Sequence, residues 1–310
     1  MPDPAPPLAS FAARWLDSQR HRLKRRTLET YAETLRTHLL PAFGPDTPLA
    51  LLTPSTCHSV LVAKRDAGYA TLTVRLMLAV LRAMLGAAVL EGVLATNPAA
   101  GLGRFLPKRK GPSPGRALSR AELDALLHAM RQRYSPLYPL VLMAARTGLR
   151  IGELLGLRWR SVDLRGRRVV VQEQRDHRGR HEDSPKSGKT RVVGLSRETV
   201  RVLQALFEVH GRPPLSAPVF CGLSGESWSR SSVWRALHQA SAAAALPPKS
   251  AHALRITFGT QLDAADVRLT AIRDLLGHHS VTITEGYIEA RPQLGAVDRL
   301  DRRVRDRGRH

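Results

Sequence analysis

The sequence predicts a mainly helical chain of two domains, the second of them α+β with one small antiparallel sheet. Three observations predict it. Helix-start signals and apolar residues at helical spacing fill the first hundred residues, a single stretch from 167 to 195 carries short β-prone runs, and helical patterns resume after it. A length of 310 residues exceeds the usual single domain and leaves each of two domains enough chain to bury its own core.

In the first domain, residues 1–106, Thr53-Pro54 reads as an N-cap followed by proline at the first helical position, and Asn97-Pro98 repeats the pattern. Between them Leu72, Leu76, Val80, Leu81 and Leu85 form a stripe expected to pack, while Arg75 and Arg82 fall on other faces. Residues 107–116, PKRKGPSPGR, combine three prolines, two glycines and four basic residues, a composition that suits an extended interdomain linker. The second domain, residues 117–310, opens with Ser119 and Glu122 spaced as a capping box. From 167, the runs RRVVVQEQ and TRVVGL, separated by a polar turn at DHRGR, a segment ending at Pro185-Lys186 and a Ser-Gly turn, read as a small antiparallel meander. Helical periodicity returns at SRETVRVLQALFEV and continues to the end, which makes this half α+β.

Forty-eight Lys and Arg against 26 Asp and Glu give a formal charge of +22, which favours a polyanionic partner through counterion release. The basic residues are spread along the whole chain, which disfavours a neutral enzyme with a basic appendage. Nucleic acid is the first candidate partner and a membrane surface the weaker rival. Cys57 and Cys221 are the only cysteines and fit no metal-ligand spacing, so both are expected as small buried thiols, with neither zinc nor disulfide. No run of about 18 apolar residues is evident and the first residues lack the pattern of a secretion signal, so the expectation is a cytoplasmic protein without a membrane partner.

Four segments of the second domain carry residues suited to phosphate chemistry. In Thr147-Gly-Leu-Arg150-Ile-Gly-Glu153, an arginine follows a glycine turn with a glutamate three residues on, a spacing that lets the two share a helix face. The pair fits a surface salt bridge, or a buried guanidinium whose fork is oriented toward phosphate oxygens. In Pro185-Lys186-Ser-Gly-Lys189-Thr-Arg191, a lysine at a hairpin tip either reaches a phosphate or is simply solvated. Ser250 reads as an N-cap that starts a helix presenting His252 and Arg255 one turn apart, either as an anion site or as an amphipathic surface pair. Finally, Leu275-Leu276-Gly277-His278 ends a helix at glycine, and Tyr287 follows nine residues later. A lone tyrosine would be an ordinary aromatic. Beside two arginines, a lysine and two histidines it completes a set able to transfer a phosphoryl group without a metal.

TGLRIGELLGLRW, a lysine-bearing hairpin, HALR followed by TF, and LLGHHS followed by a tyrosine stand in the order of the tyrosine recombinase, or phage integrase, family, which residues 117–290 resemble. The helical first half is similar, on organisational grounds, to the family's core-binding domain. The resemblance implies an active-site set of Arg150, Glu153, Lys186, His252, Arg255, His278 and Tyr287, with Lys189 the rival for the lysine. Two positions depart from the common pattern: Ile256 stands where many members carry a second histidine, and His279 where serine is common.

The activity so implied is site-specific recombination. Tyr287 attacks a backbone phosphate to give a 3′-phosphotyrosine and a free 5′ hydroxyl, and a 5′ hydroxyl of a partner duplex then reverses the step, without ATP, metal or other cofactor. Arg150 and Arg255 hold the non-bridging oxygens with His278 as a further donor, Lys186 protonates the leaving oxygen, His252 assists proton transfer at the tyrosine, and Glu153 orients. The same resemblance implies double-stranded DNA as the partner and a homotetramer on it, with the tail 291–310, where Leu294, Val297 and Leu300 keep helical spacing, docked on a neighbouring protomer; a cis-packed or frayed tail is the alternative. Two other functions use the same residues differently. A type IB topoisomerase-like enzyme would relax DNA without exchanging duplexes, and an architectural DNA-binding protein would lack the chemistry.

Overall fold

The computed structural model describes residues 5–107, 117–175, 190–222, 225–278, 280 and 284, and the strand 181–182. The chain divides into two compact units, Met1–Arg109 and Lys110–His310.

The regular elements of the first unit, among its described residues, are helical: α1 (Leu8–Ser18), α2 (Arg25–Thr34), a π-helical turn (Leu35–Leu39) running into the short α3 (Leu40–Phe43), a 3₁₀ turn (Leu49–Leu51), α4 (Pro54–Asp66) and α5 (Thr71–Leu90). Leu8, Phe11, Ala12 and Trp15 of α1 lie at i, i+3, i+4 and i+7 and are all buried, the spacing that puts one apolar stripe against a core. Helix α4 starts where the sequence predicts: Thr53 Oγ1 accepts from the Thr56 amide at 3.2 Å, and Thr56 Oγ1 accepts from the Thr53 amide at 2.9 Å. Two amide N–H groups that the first turn would leave unpaired are thereby satisfied.

Helix α5 corrects two expectations. Its 20 residues are long and apolar enough, by length and composition, to cross a membrane, although Arg75 and Arg82 interrupt the run. One face of it packs, with Val74, Met77, Leu78, Leu81, Met84, Leu85 and Ala88 buried in the core of this unit. Leu72 is exposed rather than packed, because the buried stripe begins half a turn later at Val74. The second helix start, at Asn97-Pro98, is also corrected. Asn97 Oδ1 accepts from the Ala99 amide at 3.0 Å, closing a side-chain turn, and Gly101 then adopts a left-handed φ of +72°, so that only a 3₁₀ turn (Leu102–Phe105) follows.

The second unit contains α6 (Arg120–Arg133), α7 (Tyr138–Thr147), α8 (Ile151–Gly156), the strands β1 (Val162–Asp163), β2 (Arg168–Val171), β3 (Gln174–Arg175), β4 (His181–Glu182) and β5 (Arg191–Gly194), and then α9 (Arg197–Val209), α10 (Arg230–Ala243), α11 (Ala251–Ala264) and α12 (Leu269–Leu276). The architecture is the mainly helical, α+β one that the sequence predicts. The capping box that opens α6 forms as read, with Ser119 Oγ accepting from the Glu122 amide and Glu122 Oε2 from the Ser119 amide. Helix α7 is buried from Pro139 to Ala145, consistent with a helix apolar on all sides, and is the element around which this unit packs. Each leucine enclosed there contributes about 1.5–3 kcal/mol relative to exposure.

The strands form two groups rather than one meander. Strand β2 lies between β1 and β5, all antiparallel, with Val169 opposite Val193 and both buried, while β3 and β4 pair separately. Just beyond β2, Gln172 donates to Ser161, and Glu173 takes the Arg160 guanidinium at 2.8 and 3.0 Å. Cys57 and Cys221 are free and buried, and burial pushes the Cys57 thiol up to about 11.

Candidate active site

Helix α7 stops at Gly148, whose φ of +64° is left-handed, and the stop is forced by close packing as well as by backbone. A Cβ at 148 would lie 2.5 Å from the Phe258 ring of α11 and 2.8 Å from Leu276 of α12. Three helix segments therefore approach one another at this glycine. Two residues later Arg150 precedes α8, and Glu153 on the first turn of α8 reaches back to it: the Arg150 amide donates to Glu153 Oε2 at 2.8 Å, and Arg150 Nη1 donates to Oε1 at 3.0 Å. The Glu153 side chain has no exposed surface, whereas Arg150 keeps 28%. This pair is therefore not a surface salt bridge. It is a buried carboxylate holding a guanidinium that still faces outward.

A second guanidinium completes the surroundings of Glu153. Arg191, the first residue of β5, donates from Nη1 to Oε1 at 2.9 Å and from Nη2 to Oε2 at 2.7 Å, a bidentate fork. Burial alone would raise the Glu153 carboxyl; the hydrogen bonds and charge of Arg191, then the amide and charge of Arg150, outweigh it and hold the group below the ordinary carboxylate range.

The C-terminal end of α12 gathers the site. Its last carbonyls have no partner within the helix and carry the negative end of the helix dipole. Three consecutive carbonyls each receive a guanidinium: Leu275 O from Arg191 Nε at 2.8 Å, Leu276 O from Arg255 Nη2 at 2.5 Å and Gly277 O from Arg150 Nη2 at 2.9 Å. Arg255 also donates from Nη1 to Gly148 O at 2.7 Å. Its 2% exposure makes it one of the most enclosed large side chains in the protein. Three guanidinium charges against one carboxylate leave the cluster net positive, the balance that favours an anion.

His278 follows directly. Gly277 is left-handed at φ +64°, and a Cβ there would press on the Arg191 side chain at 3.1 Å. His278 Nδ1 lies 3.0 Å from the hydroxyl of the buried Thr284. Burial, then the charges of Arg255, Arg150, His252 and Arg191, pushes its imidazole down to about 3, so the ring is neutral at neutral pH. His252 sits in the first turn of α11, which Ser250 caps by accepting from the Ala253 amide at 3.3 Å. It is exposed while Arg255, one turn on, is buried, so the two are not a surface pair. Ile256 is buried in the same helix.

Arg150, Glu153, His252, Arg255 and His278 thus meet at one helix end. Tyr287, Lys186, Lys189 and His279 lie outside the described residues, as does the tail 291–310. Arg191 and Thr284 belong to the cluster, yet the sequence reading missed them. Arg191 is one of 48 basic residues, and nothing in its spacing marks it. Thr284 has only its position three residues before Tyr287 to suggest it.

Residues 116–293 match the model of the phage integrase family, and residues 8–62 match its N-terminal SAM-like domain. A tyrosine recombinase XerC of Pelobacter propionicus is 32% identical over 158 residues, covering 50% of this chain, and the chain spans about half of that relative, 46%. A tyrosine recombinase XerC of Bradyrhizobium diazoefficiens is 28% identical over 302 residues, 91% of this chain and 89% of the relative. Among solved structures, the Tn1549 transposon integrase in complex with transposon right end DNA superposes with a TM-score of 0.82 at 19% identity, covering 96% of this chain and 99% of that one. A lambda integrase tetramer bound to a Holliday junction gives 0.76 at 21% identity, over 94% and 80%. At these identities the structural likeness is one of fold.

Proposed function

The chain belongs to the phage integrase family, and from that premise we propose that it is a site-specific DNA recombinase that cuts and rejoins strands through a phosphotyrosine. The observation that carries the proposal is the meeting of Arg150, Glu153, Arg255 and His278 at the end of α12, a net positive cluster with its guanidinium groups already fixed. Groups held before the reaction stabilise developing charge without reorganising when it appears.

In this reading Arg150 and Arg255 bind the non-bridging oxygens of one DNA phosphate. With the Thr284 hydroxyl as donor to Nδ1, 3.0 Å away, the neutral His278 carries its proton on Nε2 and offers it as a third donor to the phosphate. The Tyr287 oxygen attacks phosphorus while the bond to the 5′ oxygen breaks; His252 takes the phenol proton and Lys186 gives one to the departing oxygen. A 5′ hydroxyl of another duplex attacks the phosphotyrosine in turn and the phenolate leaves, so each cleaved bond is remade and neither ATP nor a metal enters the balance. Residues 1–106 serve as the core-binding domain and 117–310 as the catalytic one. Four copies act on two duplexes, with residues 291–310 exchanged between protomers.

The test uses a pool of nicked duplexes with randomised core sequence, incubated with the protein in chelator and resolved on a denaturing gel. A nick lets the short 5′-hydroxyl fragment diffuse away and strands the covalent adduct. The wild type is expected to give the adduct and Tyr287→Phe to abolish it. Absence of an adduct, or one that survives Tyr287→Phe, sinks the proposal. Products joining strands of two duplexes separate recombination from simple relaxation.

A further inference from the structure

We propose that Arg191 is a positioning residue of this strand-cleavage site, orienting Arg150 through Glu153 and fixing the turn of His278 through the Leu275 carbonyl. The inference rests on the phosphotyrosine reading above and adds a residue outside its reacting set.

The geometry is specific to a guanidinium. Arg191 is 9% exposed and uses three nitrogens in three directions: Nη1 and Nη2 on the two oxygens of Glu153, and Nε on Leu275 O. Its own backbone is fixed by pairing with Val171 across the β2–β5 ladder. The side chain therefore ties three elements, β5, α8 and the end of α12, at one point. Each of the other two arginines of the cluster touches the same helix end, but neither grips both carboxylate oxygens with its side chain. An ammonium at 191 would supply the charge but could not satisfy the fork and the carbonyl together.

Charge adds a second consequence. Glu153 is faced by Arg150 from the turn before α8 and by Arg191 from β5, while Arg255 and His252 of α11 and the neutral His278 are the other titratable or charged groups of the site among the described residues. With Arg191 removed, each carboxylate oxygen keeps one donor, both from Arg150, and burial drives Glu153 toward its protonated form. A protonated Glu153 holds Arg150 less firmly, so cleavage fails at a higher pH than in the wild type.

The experiment measures single-turnover adduct formation between about pH 5 and 9 for wild type, Arg191→Lys and Arg191→Gln, using a duplex recovered from the randomised pool. Folding is followed by circular dichroism and DNA binding by gel shift. Arg191→Gln is expected to slow cleavage on the order of 100-fold at neutral pH, with binding retained and the acid limb of the profile moved upward. Arg191→Lys is expected to return the acid limb toward the wild-type position while leaving the rate low. A purely structural role predicts instead a rate that follows the folded fraction and an acid limb that does not move, and that result overturns the proposal. So does a folded Arg191→Lys or Arg191→Gln with wild-type rate. Should Arg191→Gln not fold, the rate of Arg191→Lys decides. A wild type that forms no adduct removes the phosphotyrosine reading and this proposal together, whereas equal adduct from wild type and variants removes this proposal alone.

Discussion

The two units of the chain bury different things. In the first, the only polar side chain enclosed among the described residues is Thr34, and the core is otherwise apolar from Leu8 to Leu106. In the second, Glu153, Glu173, Lys249 and Arg255 are all enclosed, beside a larger apolar core. Burying a charge is costly unless it is paired and hydrogen-bonded, so a fold that encloses four is under a constraint that apolar packing does not explain. Even within the second unit the buried glutamates differ. Glu173 is met by Arg158 and Arg160, from the short turn that leads into β1, and fastens that turn beside β2. Glu153 is met by arginines that go on to reach the carbonyls of α12. One pins a local turn; the other organises groups drawn from distant parts of the chain.

The comparison breaks first at Glu153. Glu153→Ala leaves the enclosed Arg191 without its carboxylate and is expected to cost about 3–5 kcal/mol, the range for removing one partner of a buried pair. In the first unit a loss of similar order needs a different lesion. Leu81→Ala opens a cavity against fully enclosed neighbours on α5 and is expected to cost about 2–5 kcal/mol. Native-state hydrogen exchange distinguishes them: Glu153→Ala should lower protection in α8 and β5, and Leu81→Ala in α4 and α5. Loss of protection spread evenly over both units in either variant would mean that the division into two cores has no energetic content.

A smaller effect is expected from pH. His278 has its folded pKa pushed down to about 3 from an ordinary 6.5, so between these values the unfolded chain binds a proton that the folded one refuses. Stability is therefore complete above about pH 6.5 and falls as the pH drops below it, with a limiting slope of about 1.4 kcal/mol per pH unit. Of the first unit's groups with resolved shifts, Cys57 is pushed up and Glu33 is lowered from an ordinary 4.5, so neither adds a comparable contribution between pH 5 and neutrality. Urea midpoints of wild type and His278→Gln should converge from neutral pH toward pH 5 if this holds. Parallel curves would show that the ring is not held neutral by its surroundings.

What could be read in advance follows the same division between local and distant causes. The caps at Thr53, Ser119 and Ser250 and the pairing of Arg150 with Glu153 involve residues three apart, and spacing in the chain is enough to reveal them. Asn97-Pro98 misled because the same asparagine that can cap a helix can also close a side-chain turn, and the glycine at 101 decided for the turn. Leu72 misled because periodicity gives the direction of a stripe but not where packing begins. Arg191 was invisible for a stronger reason. Its partners lie 38 and 84 residues away, so its role exists only once β5, α8 and α12 are brought together.

The smallest effect is expected where the two units ought not to differ at all. Thr53 in the first and Ser119 in the second each cap a helix from an exposed position, each within a reciprocal capping box. The cap acts on amide N–H groups of one helical turn, and that local exchange takes no account of what the core behind it encloses. Thr53→Ala and Ser119→Ala are therefore each expected to cost about 0.5–2 kcal/mol, equal within the scatter of such substitutions. Hydrogen exchange of the first turns of α4 and α6 reads the two losses side by side. A markedly larger cost at Ser119 would mean that the α6 cap is coupled to more than its own helix; the Leu118 amide that precedes it donates to Thr257 of α11 at 2.8 Å, a direct route by which loss of the cap could reach the helix carrying Arg255.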